Sequence, residues 1–298
     1  MSESYPTPGS PAPVDPRALT PWSELRAEVS TWLDDFRIPD DVPKELRGAI
    51  VPPGDVPGAI GRVPVRTLHT LLVRSAAESI VLIFQRPEDP ATGWRLAEAN
   101  EWSVSDDAVV ETDLGRRLAM VEHFGAAVAV QPLSLTPAEL GLVRWLALLA
   151  PGLRVIPLAA GNAALDPDEP VWSGSEFGAR LGRHLADDNV AVISVSTLTR
   201  YGTAHSFVPS GVGPSAEAWF EQNDDRLLQR VRALDAEGVL TEARAQHNVA
   251  SPAAVAAAVA SARPREGWSG HVVEYTHHHR EIGEPVFTAS IGYAGIVF

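Results

Sequence analysis

Apolar residues recur along this chain with two different periods. Trp22, Leu25, Val29 and Leu33 fall at helical spacing, so "TPWSELRAEVSTWLDDF" predicts an opening helix, with Thr20 placed to cap it and Pro21 suited to its first turn. Short continuous apolar runs follow: "GAIVP" from residue 48, "SIVLIF" from 79, "LRVIPLAAG" from 153 and "NVAVISVS" from 189. Bounded by turn residues and rich in Val and Ile, they predict buried strands. Between them "VRTLHTLLVRSA", "AELGLVRWLALLA" and "EFGARLGRHLA" show helical periodicity. "AWFEQNDDRLLQRVRAL" and "SPAAVAAAVASA" predict two more helices, and "GHVVEYTHHH" and "FTASIGYAGIVF" two closing strands. Strands alternating with helices predict an α/β fold: one domain with a central, mostly parallel sheet and helices on both faces. The closing strands follow one another directly, which leaves room for an antiparallel pair and a mixed sheet. No internal repeat is visible.

The pattern is absent from residues 1–19, "MSESYPTPGSPAPVDPRAL". This Pro- and Ser-rich stretch has too little apolar surface to fold and is expected to be a disordered tail, with the domain spanning 20–298. The loops "RPEDPATGW" and "SGVGPSAEA" are the most irregular connections.

Composition narrows the partners. The chain has 298 residues, a formal net charge of −14 and no cysteine. Without a local basic patch, such a charge argues against nucleic acid and anionic membranes as partners. The lack of cysteine excludes disulfides, thiolate ligands and a cysteine nucleophile. No apolar run has the length of a membrane span, and no signal-peptide core is visible, so a cytoplasmic location is expected.

The order of the segments resembles that of the Memo family, also called AmmeMemoRadiSam system protein B, which shares its fold with LigB-type class III extradiol dioxygenases. "GAIVPPGDVPG" stands where the family has a strand running into P-H-A-G-Y; "GWRLAEANEWSV" and "VVETDL" resemble its middle segment; "LRVIPLAAG" matches its V-P-I-x-V-G strand. "ISVSTLTRYG" matches S-S-D-x-S-H-W-G, "RALDAEGVLTEA" with "ASPAAVAAA" resembles the helix pair carrying C-G-x-x-P, and "IGYAGIVF" resembles the C-terminal strand. The resemblance implies a Memo-like α/β scaffold. It also implies a metal held by imidazoles or a thiolate, and those residues are replaced. The P-H-A-G-Y histidine falls at Pro53 and that of the second strand's loop at or near Pro87. The E-H pair falls near Thr136 and Pro137, the S-D-x-S-H pair at Thr197 and Arg200, and the cysteine at Asn248. Proline cannot ligate a metal, so no metal is expected at the family position.

Other residues offer chemistry. Arg200 replaces a site histidine; a guanidinium binds carboxylate or phosphate with a planar fork, or closes an internal ion pair with Asp55 or Glu88. It is expected to be buried in the concavity beside the 49–58 loop. Asp55 is a candidate base, an Arg200 partner, or a turn residue of "PGD". In a strand, His277 and His279 share one face and His278 takes the other, so the pair could hold a metal, share a proton with a carboxylate, or form a solvated rim. His205 follows Arg200 on the same loop, and His247 adjoins Asn248. His69 and His123 are expected to be structural, and Trp94 and Trp102 to pack. The expected function is a repurposed small-molecule enzyme without the family metal, acting on a small anionic or aromatic substrate. Arg200, Asp55, His277 and His279 would be its catalytic residues, and Arg200, His205, His247 and Asn248 its substrate contacts. One alternative is a non-catalytic scaffold or regulatory partner, with a protein partner or a homo-oligomer possible. Another is a metal-dependent dioxygenase with a relocated site built from His277, His279 and His205 or His247. No cofactor is expected apart from that relocated metal.

Overall fold

The computed structural model describes residues 20–56, 58–86, 93–161, 172–262 and 268–298. The stretch read as a tail, and Pro87 and Glu88, lie outside them. In chain order the helices are α1 (Trp22–Leu33), α2 (Arg62–Arg74), α3 (Leu114–Phe124), α4 (Pro137–Leu149), α5 (Gly174–His184), α6 (Pro214–Arg232), α7 (Ala236–Gln246), α8 (Pro252–Ser261) and α9 (His278–Ile282). The strands are β1 (Gly48–Val51), β2 (Ser79–Arg86), β3 (Trp94–Ala97), β4 (Glu101–Ser105), β5 (Ala108–Glu111), β6 (Val128–Gln131), β7 (Arg154–Gly161), β8 (Val190–Val195), β9 (Arg200–Tyr201), β10 (His271–His277) and β11 (Ser290–Val297).

This is a single α/β domain with a mixed, mostly parallel sheet of nine strands. The order is β10-β11-β1-β8-β2-β7-β3-β6, with β9 paired to β11. The central run β1-β8-β2-β7 is parallel. β11 runs antiparallel to β1, β9 and β10, and β3 antiparallel to β7. The apolar runs form this centre because strands buried on both faces have no solvent side to make polar. β4 and β5 form a separate hairpin.

Two large cores result, one on each face, and a smaller cluster gathers Tyr201, Ala216, Phe220 and Phe287. α1, α2 and α4 cover one through Leu25, Val29, Val65, Leu68, Leu71, Leu142, Val143 and Leu146. α5 to α8 cover the other through Phe177, Leu181, Leu227, Val231, Val239 and the alanines of α8. Thr136 and Ser173 cap α4 and α5 in reciprocal boxes with Glu139 and Glu176. α1 departs from expectation: Pro21, not Thr20, precedes it, with no side-chain cap. The Thr20 carbonyl instead accepts from Arg144 Nη2 at 2.5 Å.

α5 carries Gly174, Gly178 and Gly182 at intervals of four residues, against Ala253, Ala257 and Ser261 of α8. A Cβ on Gly178 would stand 2.2 Å from the Ala257 carbonyl oxygen, so the helices touch backbone to backbone. The amino end of α8 meets the strand ends. Ser196 Oγ accepts from Ser251 N at 3.1 Å and Gln85 Oε1 from Ala253 N at 3.2 Å, satisfying helix-end donors.

Candidate functional site

The carboxyl ends of β1, β2 and β8 are where an open α/β sheet places ligands. At the end of β1, Pro52 and Pro53 stop the ladder and Gly54 donates its N–H to the Ala138 carbonyl of α4 at 2.7 Å. A Cβ on Gly54 would lie 2.4 Å from Leu142 N, and one on Gly141 would lie 2.5 Å from Gly54 O. The loop is pressed onto α4 by paired glycines. At the end of β2, Arg86 Nη2 meets Glu139 Oε2 of α4 at 2.7 Å, both side chains buried, and the same nitrogen donates to the Ser134 carbonyl.

The residues that the Memo resemblance would align with metal ligands have other roles here. Pro53 has no side-chain donor atom. Thr136 caps α4, and Pro137 is its first residue. Thr197 Oγ1 accepts from Arg200 Nε at 3.1 Å. Asn248, fully buried, donates to the Asn223 carbonyl at 3.0 Å.

Arg200 differs from expectation in being exposed. Its Nε is tied to Thr197, and among the described residues it forms no ion pair, with Asp55 or any other carboxylate. Asp55, also exposed, lines a cavity of about 370 Å³ between α1, α4 and the loop, together with Glu28, Trp32, Gly141, Arg144 and Trp145. Burial, then the charge of Glu24, raises the Glu28 carboxyl above its usual range.

Strand register decides which candidates can meet. Tyr293 of β11 lies opposite Thr276, Gly292 opposite His277, and Ile291 opposite Arg200. Opposed residues share a face and neighbours alternate. Arg200, Ile291, Tyr293 and Thr276 therefore face α2, where Gly295 abuts Thr67. His277, Tyr275, Gly292, Ser290 and Tyr201 face α6, where Gly292 abuts Asp224. The sheet thus divides the candidate catalytic set: Arg200 and Asp55 belong to one face, His277 and His279 to the other.

On the α2 face, Tyr293 joins them. Burial raises its phenol pKa; the charge of Arg200 lowers it and that of Asp55 raises it. Sequence reasoning passed over Tyr293, whose only signal was its place in "IGYAGIVF". His205 is exposed on the turn after β9, and partial burial, then Arg200, lowers its pKa.

On the α6 face, β10 ends at His277, and the histidine run bends into α9. His277 caps that helix and His279 sits in it, yet their rings stay parallel, with centroids 6.2 Å apart. His277 Nδ1 is 3.2 Å from Ser290 Oγ, and its Nε2 is 3.3 Å from Glu221 Oε1 and 3.8 Å from Glu217 Oε1. His279 Nε2 is 4.0 Å from Glu217 Oε1. Burial, then Arg280, lowers the His277 pKa against the pull of Glu221 and Glu217. Neither His205 nor His247 joins this group among the described residues. His247, exposed, ends α7 in a left-handed conformation and puts its ring edge on Phe207. Nearby, Asp224 is fully buried and accepts from Thr199 N and Tyr275 Oη, both at 2.9 Å. Its carboxyl is pushed up to about 7, chiefly by desolvation.

No protein-family model matches the chain, and no curated protein is significantly similar to it. Among solved structures, the crystal structure of the uncharacterized protein JW3007 from Escherichia coli K12 matches with a TM-score of 0.55 at 10% identity. The match covers 85% of this chain and 100% of that one, and at this identity it shows the α/β fold alone. No described helix is long and apolar enough to cross a membrane.

Proposed function

We propose that the chain is a small-molecule enzyme on a Memo-like scaffold that has lost the family metal site, acting on a small anionic or aromatic ligand at the α2 face. The observation that carries this reading is Arg200: a cation held by Thr197, exposed, without a counter-ion among the described residues, and sharing a face with Tyr293. A guanidinium tied at Nε keeps its two terminal nitrogens for a bidentate grip on carboxylate or phosphate. Tyr293, with its phenol pKa raised, stays protonated at neutral pH and supplies a hydrogen-bond donor. Asp55 is the carboxylate available as a base.

A thermal-shift panel of aromatic carboxylates and phosphate esters tests it. Ligands that stabilise the wild type should fail on Arg200→Ala and weaken on Tyr293→Phe. Ligands that stabilise both variants as well as the wild type would remove the site. The second reading is a non-catalytic scaffold or regulatory partner. It is favoured by the close packing of Gly54 on Gly141 and by the buried Arg86–Glu139 pair, which fill the strand ends where a metal pocket would open.

A further inference from the structure

On the opposite face of the sheet from Arg200, we infer that Glu217, Glu221 and His277, with His279 beside them, form a binding site for a divalent transition-metal ion of the zinc type. Glu217 and Glu221 are one helical turn apart on α6, so their carboxylates leave the helix on the same side. His277, from the end of β10, points Nε2 between them. One ligand atom from each of these three residues lies within 4.8 Å of the others. Donors around a tetrahedral zinc, each ~2.0–2.2 Å from it, stand ~3.3–3.6 Å apart. The His277 distances of 3.3 and 3.8 Å to the two carboxylates bracket that spacing.

Two further features belong to a metal site rather than to a chance cluster of acids. His279 is buried, yet its Nδ1 has no hydrogen-bond partner, and its Nε2 stands 4.0 Å from Glu217. A buried imidazole nitrogen left without a hydrogen bond is costly unless the ring turns to make it a ligand. Secondly, His277 has an orienting partner of the kind metal-bound histidines use. Ser290 Oγ lies 3.2 Å from Nδ1 and also accepts the His279 backbone N–H. A hydroxyl can accept a hydrogen bond from Nδ1–H; in that tautomer the ring gives up the long 3.4 Å cap bond from the Arg280 N–H to Nδ1, and the Nε2 lone pair is free for the ion. Mixed imidazole and carboxylate donors select a first-row transition ion over calcium or magnesium, which take oxygen ligands.

Arg280, half-exposed, pairs with Glu221 and competes with the ion for that carboxylate. It makes a prediction that a purely structural ion-pair cluster would not share.

The full chain, without a histidine tag and stripped with a chelator, is titrated with zinc chloride by calorimetry at pH 7.5. The wild type should show a saturable site. Glu217→Gln and Glu221→Gln, on the half-exposed side of α6, should each weaken it at least tenfold, with far-UV circular dichroism unchanged. The double variant should lose one equivalent of zinc, and Arg280→Ala should bind more tightly than the wild type. Calcium or magnesium at millimolar concentration should not displace zinc. The inference is overturned if the wild type shows no saturable binding, or if the double variant takes up as many zinc ions with the same affinity.

Discussion

Tyr275 donates its hydroxyl to the fully buried carboxyl of Asp224 at 2.9 Å, tying the end of β10 to the middle of α6. The Thr199 N–H and side chain also favour the charged form, and Glu221 adds a nearby negative charge. These hydrogen bonds do not offset full desolvation, so the acid holds its proton up to about pH 7.

Stability should therefore fall as pH rises from about 4 to about 7. The folded-state pKa, about 7, exceeds the unfolded value near 3.8, so across that interval the native state keeps a proton that the unfolded chain has released. The slope contributed is at most about 1.4 kcal/mol per pH unit and flattens above pH 7. Asp224→Asn keeps an acceptor for Thr199 and cannot ionise, so its urea-denaturation curves should lose this slope. Wild-type and variant stabilities that run parallel from pH 4 to pH 8 would show that Asp224 is ionised in the folded protein.

Gly141→Ala should cost about 1–3 kcal/mol, the range for overpacking. Its methyl would sit 2.5 Å from the Gly54 carbonyl oxygen, where both neighbours are backbone and neither can rotate away. Gly58→Ala, where a Cβ meets nothing within 4 Å, separates packing from backbone strain, because only the positive φ of 51° penalises it. Thermal melts of the two variants measure the difference.

Arg200→Ala should leave stability within about 0.5 kcal/mol of the wild type, as exposed substitutions do. The expected buried ion pair is absent among the described residues, and with it the 3–5 kcal/mol that breaking such a pair costs. The effect belongs in ligand affinity instead. A large loss of stability without ligand would mean that the guanidinium is structural.

Glu139→Gln should destabilise by up to about 3–5 kcal/mol, because it removes the charge of one partner of a buried pair. Glutamine can still close the capping box with Thr136, so the loss reports the ion pair rather than the cap. Denaturant midpoints of the wild type, Glu139→Gln and the double variant Arg86→Met/Glu139→Gln test this. The double variant should recover much of the loss.

The sequence made the sheet centre legible because "SIVLIF", "LRVIPLAAG" and "NVAVISVS" are buried on both sides, and such strands need no pairing partner to be recognised. β4 to β6 were harder: Val109 and Val130 are exposed in short, half-polar strands, and only pairing makes them strands. The pattern of the histidine run predicts one extended strand. The polar "HHREI" turns instead into α9, which Glu281 ties to α2 through two bonds to Arg62. Arg200 and His277 could be nominated singly, but the register that sends them to opposite faces is a long-range property. Glu217 and Glu221 escaped notice because a lone i, i+4 acid pair on a polar helix face carries no mark of what lies across from it.

The three glycines of α5 have a consequence for motion. Helices in backbone contact have no side chains between them to change rotamer, so the α5–α8 contact has no slack to take up a relative shift. The first turn of α8 is in turn fastened to β8 and β2 through Ser196 and Gln85. That half of the molecule is an anvil. The open space at the strand ends lies in the other half, between α1, α4 and the Asp55 loop.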